Sequence, residues 1–258
     1  MTGVFRQFII AVQFLTTIPI PGNYVHEEKD LGRSMIFYPI VGLLIGIVTS
    51  ASYRLVSHFF IPAVSLAVVF VISILLTGGL HLDGFADMCD GFYAGKDKSG
   101  ILSIMKDSHI GTMAVLGIFC LLLLKLVMMF SLLLKNSLIP AFLIVPVISR
   151  GLMALVAGLY PYARTDGTAK PFIENIGRME MSGAAILVLA ISYCVVGVAG
   201  IYVTLGTLVV AFVFLHCVKS KIGGITGDIL GSVNEISEIS ALVMLHMVFP
   251  ILKIRWIS

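Results

Sequence analysis

Long apolar stretches, broken by short polar ones, constrain the fold of this 258-residue chain more than any other feature. Residues 181–218 include no Asp, Glu, Lys or Arg. A bilayer core requires helices of about 20 residues, because each backbone polar group must be bonded within its own helix. Only 12% of the residues are charged, against about a quarter in a soluble domain. We therefore predict an all-α fold, a polytopic integral membrane helical bundle with roughly six to seven transmembrane helices, as a single domain over residues 1–258.

The apolar runs give the approximate positions of the crossings. They are predicted at residues 35–53, 61–80, 112–134, 138–160 and 239–254, with two more crossings inside 181–218 that turn between Gly197 and Gly206. The first apolar segment, residues 4–20, is interrupted by Arg6 and Gln13 and ends in prolines. It is expected to form an interfacial or re-entrant helix.

Four polar stretches separate these runs and indicate the orientation. They cover residues 21–34, 81–110, 161–181 and 219–238, and counting crossings places all four on one side. They also hold most of the Lys and Arg, so the positive-inside rule predicts that these loops face the cytoplasm from the cell (inner) membrane and carry the chemistry. The net charge of +3 includes no dense basic block, so no nucleic acid partner is expected.

The densest group of acidic residues lies in the segment TGGLHLDGFADMCDGFYAG, residues 77–95. Asp83, Asp87 and Asp90 would lie within about 60° of one another on a helix. Carboxylates this close favour a hard cation, and Mg²⁺ typically uses one or two carboxylates plus substrate phosphates. A solvated acidic helix end is the alternative, although the opposite face is apolar. His81 is a candidate general base or ligand, or a structural histidine.

A second acidic segment, KIGGITGDILGSVNEISE at residues 219–238, is a candidate partner for the first. Asp228 and Glu235 are seven residues apart and share a helical face. We predict that they join the three aspartates as metal ligands. Glycines in both segments are predicted to let a phosphate approach the backbone: Gly78, Gly79, Gly84, Gly91, Gly223, Gly224 and Gly227.

Basic residues near these segments are candidates for binding phosphate. Arg150 lies inside an apolar run, where a buried arginine is costly and usually functional. Arg164 follows in PYART, and Lys106-Asp107 precedes the span at 112. Arginine binds phosphate oxygens in a bidentate manner. The alternative for either arginine is a structural ion pair. The alternative for the Lys-Asp pair is a helix cap and interfacial anchor. Asp107 is also a candidate base.

Together these segments resemble the cobalamin synthase (adenosylcobinamide-GDP ribazoletransferase) family. The resemblance is carried in order by FLTTIPIP, FYPIVGLLIG, TGGLHLDGFADMCDGF, IMKDSHIGT, PYAR and GGITGDILGSVNEISE. It implies a Mg²⁺-dependent membrane enzyme of coenzyme B12 assembly. Such an enzyme joins adenosylcobinamide-GDP to α-ribazole or its 5′-phosphate and releases GMP.

Other classes fit the residues less well. The aspartate motif is similar to that of CDP-alcohol phosphotransferases, but the Ala-Arg that follows their motif glycine is missing after Gly91. A transporter would place ionisable groups at mid-membrane, where Lys125 and Arg150 are the clear examples in this chain. A structural membrane subunit would not need two acidic faces. Homo-oligomerisation, or association with other cobalamin-assembly enzymes, remains open.

Overall fold

The computed structural model describes residues 3–21 and 27–251 and confirms an all-α fold. Its helices are α1 Gly3–Leu15, α2 Glu28–Ser34, α3 Tyr38–Val56, α4 Pro62–Thr77, α5 Leu80–Ala94, α6 Lys98–Ile104, α7 Thr112–Leu134, α8 Leu138–Leu159, α9 Lys170–Asn175, α10 Arg178–Val196, α11 Val198–Ile222 and α12 Gly227–Ile251. Within the described residues, β-pairing is limited to a single parallel bridge between Tyr162 and Ile225.

The lengths and composition of the helices confirm a multi-pass membrane protein. Five segments of the described chain are long and apolar enough to cross a bilayer, and six if the bent pair α4–α5 counts as one span. Helix α12 is 25 residues long but is not among these segments. It contains most of the crossing predicted at 239–254, whose residues 252–254 lie outside the described part. The predicted interfacial segment contains α1, whose 13 residues are too few for a span.

Two consecutive glycines end α4 and redirect the chain into α5. Gly78 and Gly79 have φ angles of 63° and 67°, in the left-handed region that glycine adopts without a Cβ clash. The axes of α4 and α5 differ by 84°. As a result, α5 is a separate helix that carries its aspartates across the bundle instead of extending α4.

Helix α8 lies at the centre of the bundle. In its most apolar window 78% of the residues are buried, against 17% for α7 at the periphery. Helix α3 packs on α8 through Gly42 and Gly46, where a Cβ would lie 2.8 Å from the Cα atoms of Val147 and Leu143 respectively. Such small residues allow two backbones to approach closely, which is the usual basis of helix association in a bilayer.

Two of the predicted polar loops are largely helical, so this part of the prediction was wrong. Helices α5 and α6 occupy much of residues 81–110, and residues 219–238 belong to α11 and α12 except for a short turn after Ile222. The physical reason is that the acidic residues of 219–238 pair inside the bundle with Lys125, Arg150 and Arg164 of other segments, so this stretch does not require a solvated loop. All four polar stretches nevertheless meet at one end, through contacts of α2 with α9, of α5 with α12 and of Tyr162 with Ile225.

Candidate active site

The site forms where α5 crosses α12. A Cβ at Gly84 would lie 2.7 Å from the Cα of Asp228, so the absence of a side chain lets the two helices touch. The Ser232 hydroxyl donates a hydrogen bond to the Gly84 carbonyl at 3.2 Å and fixes their register. Because Asp83 and Asp87 lie on either side of this contact on α5, both are brought towards Asp228, so the two acidic segments meet at these three residues.

Arg164 is placed beside these carboxylates by the short β-bridge. The Ile225 N–H donates to the Pro161 carbonyl at 2.9 Å, and the Ala163 N–H donates to the Ile225 carbonyl at 2.8 Å. The Arg164 side chain is 17% exposed, and its Nη2 lies 2.8 Å from Asp228 Oδ2 as an ion pair that is not aligned as a hydrogen bond. Its buried Nε has no hydrogen-bond partner among the described residues, which leaves a donor for an incoming anion.

Negative charge is in excess at this crossing. Asp228, Asp83 and Asp90 all act electrostatically on Asp87, and Arg164 is the cation that offsets them. Burial raises the pKa of Asp228, and this effect is opposed by the Arg164 guanidinium and by the hydroxyl of Thr226, which donates to Asp228 at 3.2 Å. Carboxylates that are partly buried and face one another favour a bound cation.

Asp90 has a different local role from the other two aspartates of its motif. It accepts hydrogen bonds from the N–H groups of Gly111 at 2.6 Å and Ala114 at 2.9 Å, which satisfies the first turn of α7. Nearby, Lys106 is exposed. Exposed Asp107 pairs with His109 at 2.6 Å, and their hydrogen bond lowers the pKa of Asp107 and raises that of His109.

A second charged cluster lies deeper, about 10 Å further along α12. Here Lys125 of α7 pairs with Glu235, and with Glu238 at 2.6 Å, while Arg150 of α8 pairs with Glu238. The Arg150 Nη1 also donates to the Ser149 hydroxyl at 2.9 Å. Arg150 and Glu235 are thus paired within this second cluster and not with the aspartates. Glu238 was missing from the predicted site residues, although it stands one turn after Glu235 in the same acidic segment.

His81 lies at the start of α5 and lines a cavity. The residue is 3% exposed, and its Nε2 lacks a hydrogen-bond partner within the described chain. The cavity has a volume of about 160 Å³ and is also lined by Asp83, Gly84 and Asp228. His81 therefore faces the same space as two of the clustered carboxylates.

The glycines predicted to bind substrate have packing or turn roles in most cases. Besides Gly78, Gly79 and Gly84, described above, Gly223 has a φ of 78° at the end of α11. Cβ atoms at three other positions would meet neighbours, namely Ile101 O at 3.1 Å for Gly91, Ala163 Cβ at 3.4 Å for Gly224 and Ala169 Cβ at 3.1 Å for Gly227. At Gly79, by contrast, a Cβ would meet no described atom within 4 Å. A role in binding stays a prediction for all seven glycines.

A complete metal site is not preformed. Across residues 3–21 and 27–251, no three His, Cys, Asp or Glu side chains converge closely enough to hold an ion by themselves. A magnesium ion that keeps water or phosphate ligands requires only one or two protein carboxylates. The carboxylates at the α5–α12 crossing therefore fit an ion whose coordination is completed by a substrate.

Comparison with known proteins gives a family and a set of relatives. A family model described as cobalamin-5-phosphate synthase matches residues 7–246. The adenosylcobinamide-GDP ribazoletransferase of Clostridium kluyveri is 37% identical over 96% of this chain and 99% of its own length. The protein of the same name from Acetivibrio thermocellus is 35% identical over 94% and 98% of the two chains. No solved structure matches.

Proposed function

The chain belongs to the cobalamin-5-phosphate synthase family, and from this premise we propose that it is an adenosylcobinamide-GDP ribazoletransferase. Its substrates are adenosylcobinamide-GDP and α-ribazole or the 5′-phosphate of α-ribazole. Its products are GMP and adenosylcobalamin or the corresponding phosphate. Family membership favours this reaction over a CDP-alcohol phosphotransferase and over transport.

The observation that carries the proposal is the meeting of Asp83, Asp87 and Asp228 beside Arg164, at the mouth of a cavity. These carboxylates are the groups that would hold Mg²⁺. When bound, the ion would neutralise the diphosphate and align it for displacement. Asp90 and Glu235 are left out of this proposed set, because Asp90 caps α7 and Glu235 pairs with Lys125.

The reaction is a displacement at phosphorus. The hydroxyl oxygen of ribazole forms a bond to the phosphorus next to cobinamide, and the bond from that phosphorus to the GMP oxygen breaks, so that GMP leaves with the electron pair. The guanidinium of Arg164, through its free Nε, binds phosphate oxygens as charge develops. The hydroxyl proton passes to Asp83, an exposed carboxylate that lines the cavity.

The other predicted residues take supporting roles or stay predictions. Arg150 is held by Glu238, so it stabilises the bundle in this proposal and does not bind phosphate. Lys106, exposed just before α7, remains a candidate for contacting the diphosphate. The role of His81 as a base stays a prediction, since Asp83 takes the proton in this proposal. The site end of the bundle is proposed to face the cytoplasm from the cell (inner) membrane, which agrees with the basic residues of the polar stretches.

The test is turnover by the purified full chain in detergent or liposomes. Adenosylcobinamide-GDP, α-ribazole and Mg²⁺ are supplied, and GMP and the cobalamin product are measured. The expected result is equimolar formation of both. Folded protein that forms neither product, with α-ribazole or with its 5′-phosphate, would contradict the proposal.

A further inference from the structure

The cavity beside Asp83 and Asp228 contains two buried polar atoms that have no partner. The Tyr38 side chain is fully buried, and its hydroxyl makes no hydrogen bond to the described chain. The buried Nε2 of His81 also makes no hydrogen bond to the described chain, and both residues line the cavity. A buried polar group without a partner is unfavourable, so two such atoms in one cavity favour an occupant that can form hydrogen bonds.

Away from Asp83, Asp228 and Thr168, the rest of the wall is aromatic and apolar. Phe14 stacks on Tyr38 with ring centroids 6.3 Å apart and planes inclined at 18°. The ring of Phe172 packs against that of Phe14, with the two ring centroids 4.4 Å apart. All three rings line the cavity. A pocket with aromatic walls and few polar atoms selects a flat, largely apolar ring that carries one or two hydrogen-bonding atoms.

The size of the cavity narrows the choice of occupant. Its volume is about 160 Å³, and an apolar cavity of roughly 150 Å³ in another protein holds one benzene molecule. The cavity therefore takes one aromatic ring of that size, and the corrin ring of the donor is far too large for it. The guanine base of the donor has several polar edge atoms, and once Asp83 and Asp228 hold Mg²⁺, the side chains of the wall left to pair with those atoms are Tyr38, His81 and Thr168. The aromatic base of the acceptor nucleoside, ribazole, has the required shape and polarity.

We propose that this cavity binds the aromatic base of the acceptor nucleoside, with the Tyr38 hydroxyl donating to its free ring nitrogen, His81 beside it, and Phe14 and Phe172 as its apolar wall. The inference rests on the proposed function and adds a subsite to it. The base enters between α3 and α5, and the attached ribose then lies at the cavity mouth, beside Asp83 and Asp228. This arrangement directs the ribose hydroxyl towards the carboxylates.

The test compares Tyr38→Phe with Tyr53→Phe in the full-length protein. Both tyrosines lie on α3, but Tyr53 packs against Phe142, away from the cavity. We expect Tyr38→Phe to raise the KM for α-ribazole roughly 5- to 20-fold, as expected for the loss of one buried hydrogen bond. The KM for adenosylcobinamide-GDP should stay within about twofold, and Tyr53→Phe should change neither constant.

A second pair of variants tests access of α-ribazole to the cavity without altering buried residues. Thr168 is exposed and lines the cavity, whereas Thr165 is exposed in the same loop and does not line it. Thr168→Trp should weaken equilibrium binding of α-ribazole, measured without donor, by at least about tenfold, and Thr165→Trp should not weaken it. This measurement requires no turnover.

The outcomes separate the inference from the proposed function. Wild-type protein that binds α-ribazole but makes no GMP would leave the subsite intact and contradict the reaction. Wild-type turnover combined with an unchanged KM for α-ribazole in Tyr38→Phe would overturn the subsite and indicate that the cavity holds only water. A rise confined to the KM of the donor would also overturn it and assign the cavity to guanine.

Discussion

Helix α12 carries two charged clusters that differ in the balance of acidic and basic side chains and in the size of the cavity that each borders. At its start, Asp228 meets Asp83 and Asp87, and Arg164 is the cation that acts on all of them. Further along, Glu235 and Glu238 meet Lys125 and Arg150, so two carboxylates face two cations. The first cluster opens onto a cavity of about 160 Å³, whereas the second borders one of about 60 Å³.

The difference teaches how charge in a membrane protein is divided between stability and function. A balanced cluster neutralises its own charges and stabilises the packing of α7, α8 and α12, although its charges are costly to desolvate. An unbalanced cluster requires a cation from outside, and this requirement is what a phosphate-transfer site uses. The following predictions start with the largest expected effect.

Removing divalent cations should abolish activity and leave the fold intact. EDTA is expected to reduce GMP release to background, and excess Mg²⁺ is expected to restore it, because the aspartates at the crossing require a bridging ion. The unfolding midpoint in detergent should not change, since the buried cluster contains its own cations. Turnover that persists in EDTA would show that the aspartates at the crossing do not require a divalent cation. Unfolding caused by chelation would show that the fold does require one.

Removing one cation from the buried cluster should destabilise the protein strongly. Lys125→Met leaves Glu238 paired with Arg150 and removes the paired cation of Glu235, and should lower the free energy of unfolding by about 3–5 kcal/mol. Denaturant unfolding in detergent measures this. Adding Glu235→Gln to the variant should restore part of the loss, because it removes an unpaired buried charge. Wild-type stability for Lys125→Met would show that the cluster is not structural.

Neutralising an aspartate at the crossing should affect activity and spare stability. Asp87→Asn and Asp228→Asn should each reduce kcat at least about 100-fold, which corresponds to about 2.7 kcal/mol of transition-state stabilisation. Asp87→Asn should be at least as stable as the wild type because a like charge is removed, whereas Asp228→Asn also loses its ion pair with Arg164 and should be slightly less stable. Asp166→Asn, at an exposed position in the loop after Arg164, serves as the control and should retain full activity.

Asp90→Asn should give the smallest effect, and it tests whether Asp90 is one of the metal ligands. A neutral amide accepts the Gly111 and Ala114 N–H groups less well, so the free energy of unfolding should fall by about 1 kcal/mol. Activity measured on the folded fraction should fall far less than in Asp87→Asn. If the two variants lose activity equally at unchanged stability, Asp90 is a ligand, as its sequence spacing predicted.

The sequence was sufficient for the fold class and for the central part of the site. Apolar length placed α7 at Thr112–Leu134 as predicted, and the i, i+4, i+7 spacing placed the three aspartates on the single helix α5. The glycines flanking them were predicted to let a phosphate or backbone approach, and the 84° bend that Gly78 and Gly79 form was not predicted. The helix positions depend on local periodicity, which a single sequence contains.

What the sequence could not supply was the pairing of distant charges. Asp90 and Gly111 are 21 residues apart, and Lys125 and Glu235 are 110 apart. Their contacts depend on how helices pack, and no local pattern encodes this. The same limit explains why polarity between 219 and 238 was interpreted as a loop. Buried ion pairs and solvated loops contain the same residue types.

One uninterrupted helix carries both clusters. The number of residues between Asp228 and Glu238 therefore cannot change, even by one. One inserted residue would rotate one cluster against the other by about 100° and shift it by about 1.5 Å. The ion pairs with α7 and α8 would then hold Asp228 facing away from Arg164. Insertions and deletions among functional relatives should therefore fall in the connecting segments and spare this ten-residue interval.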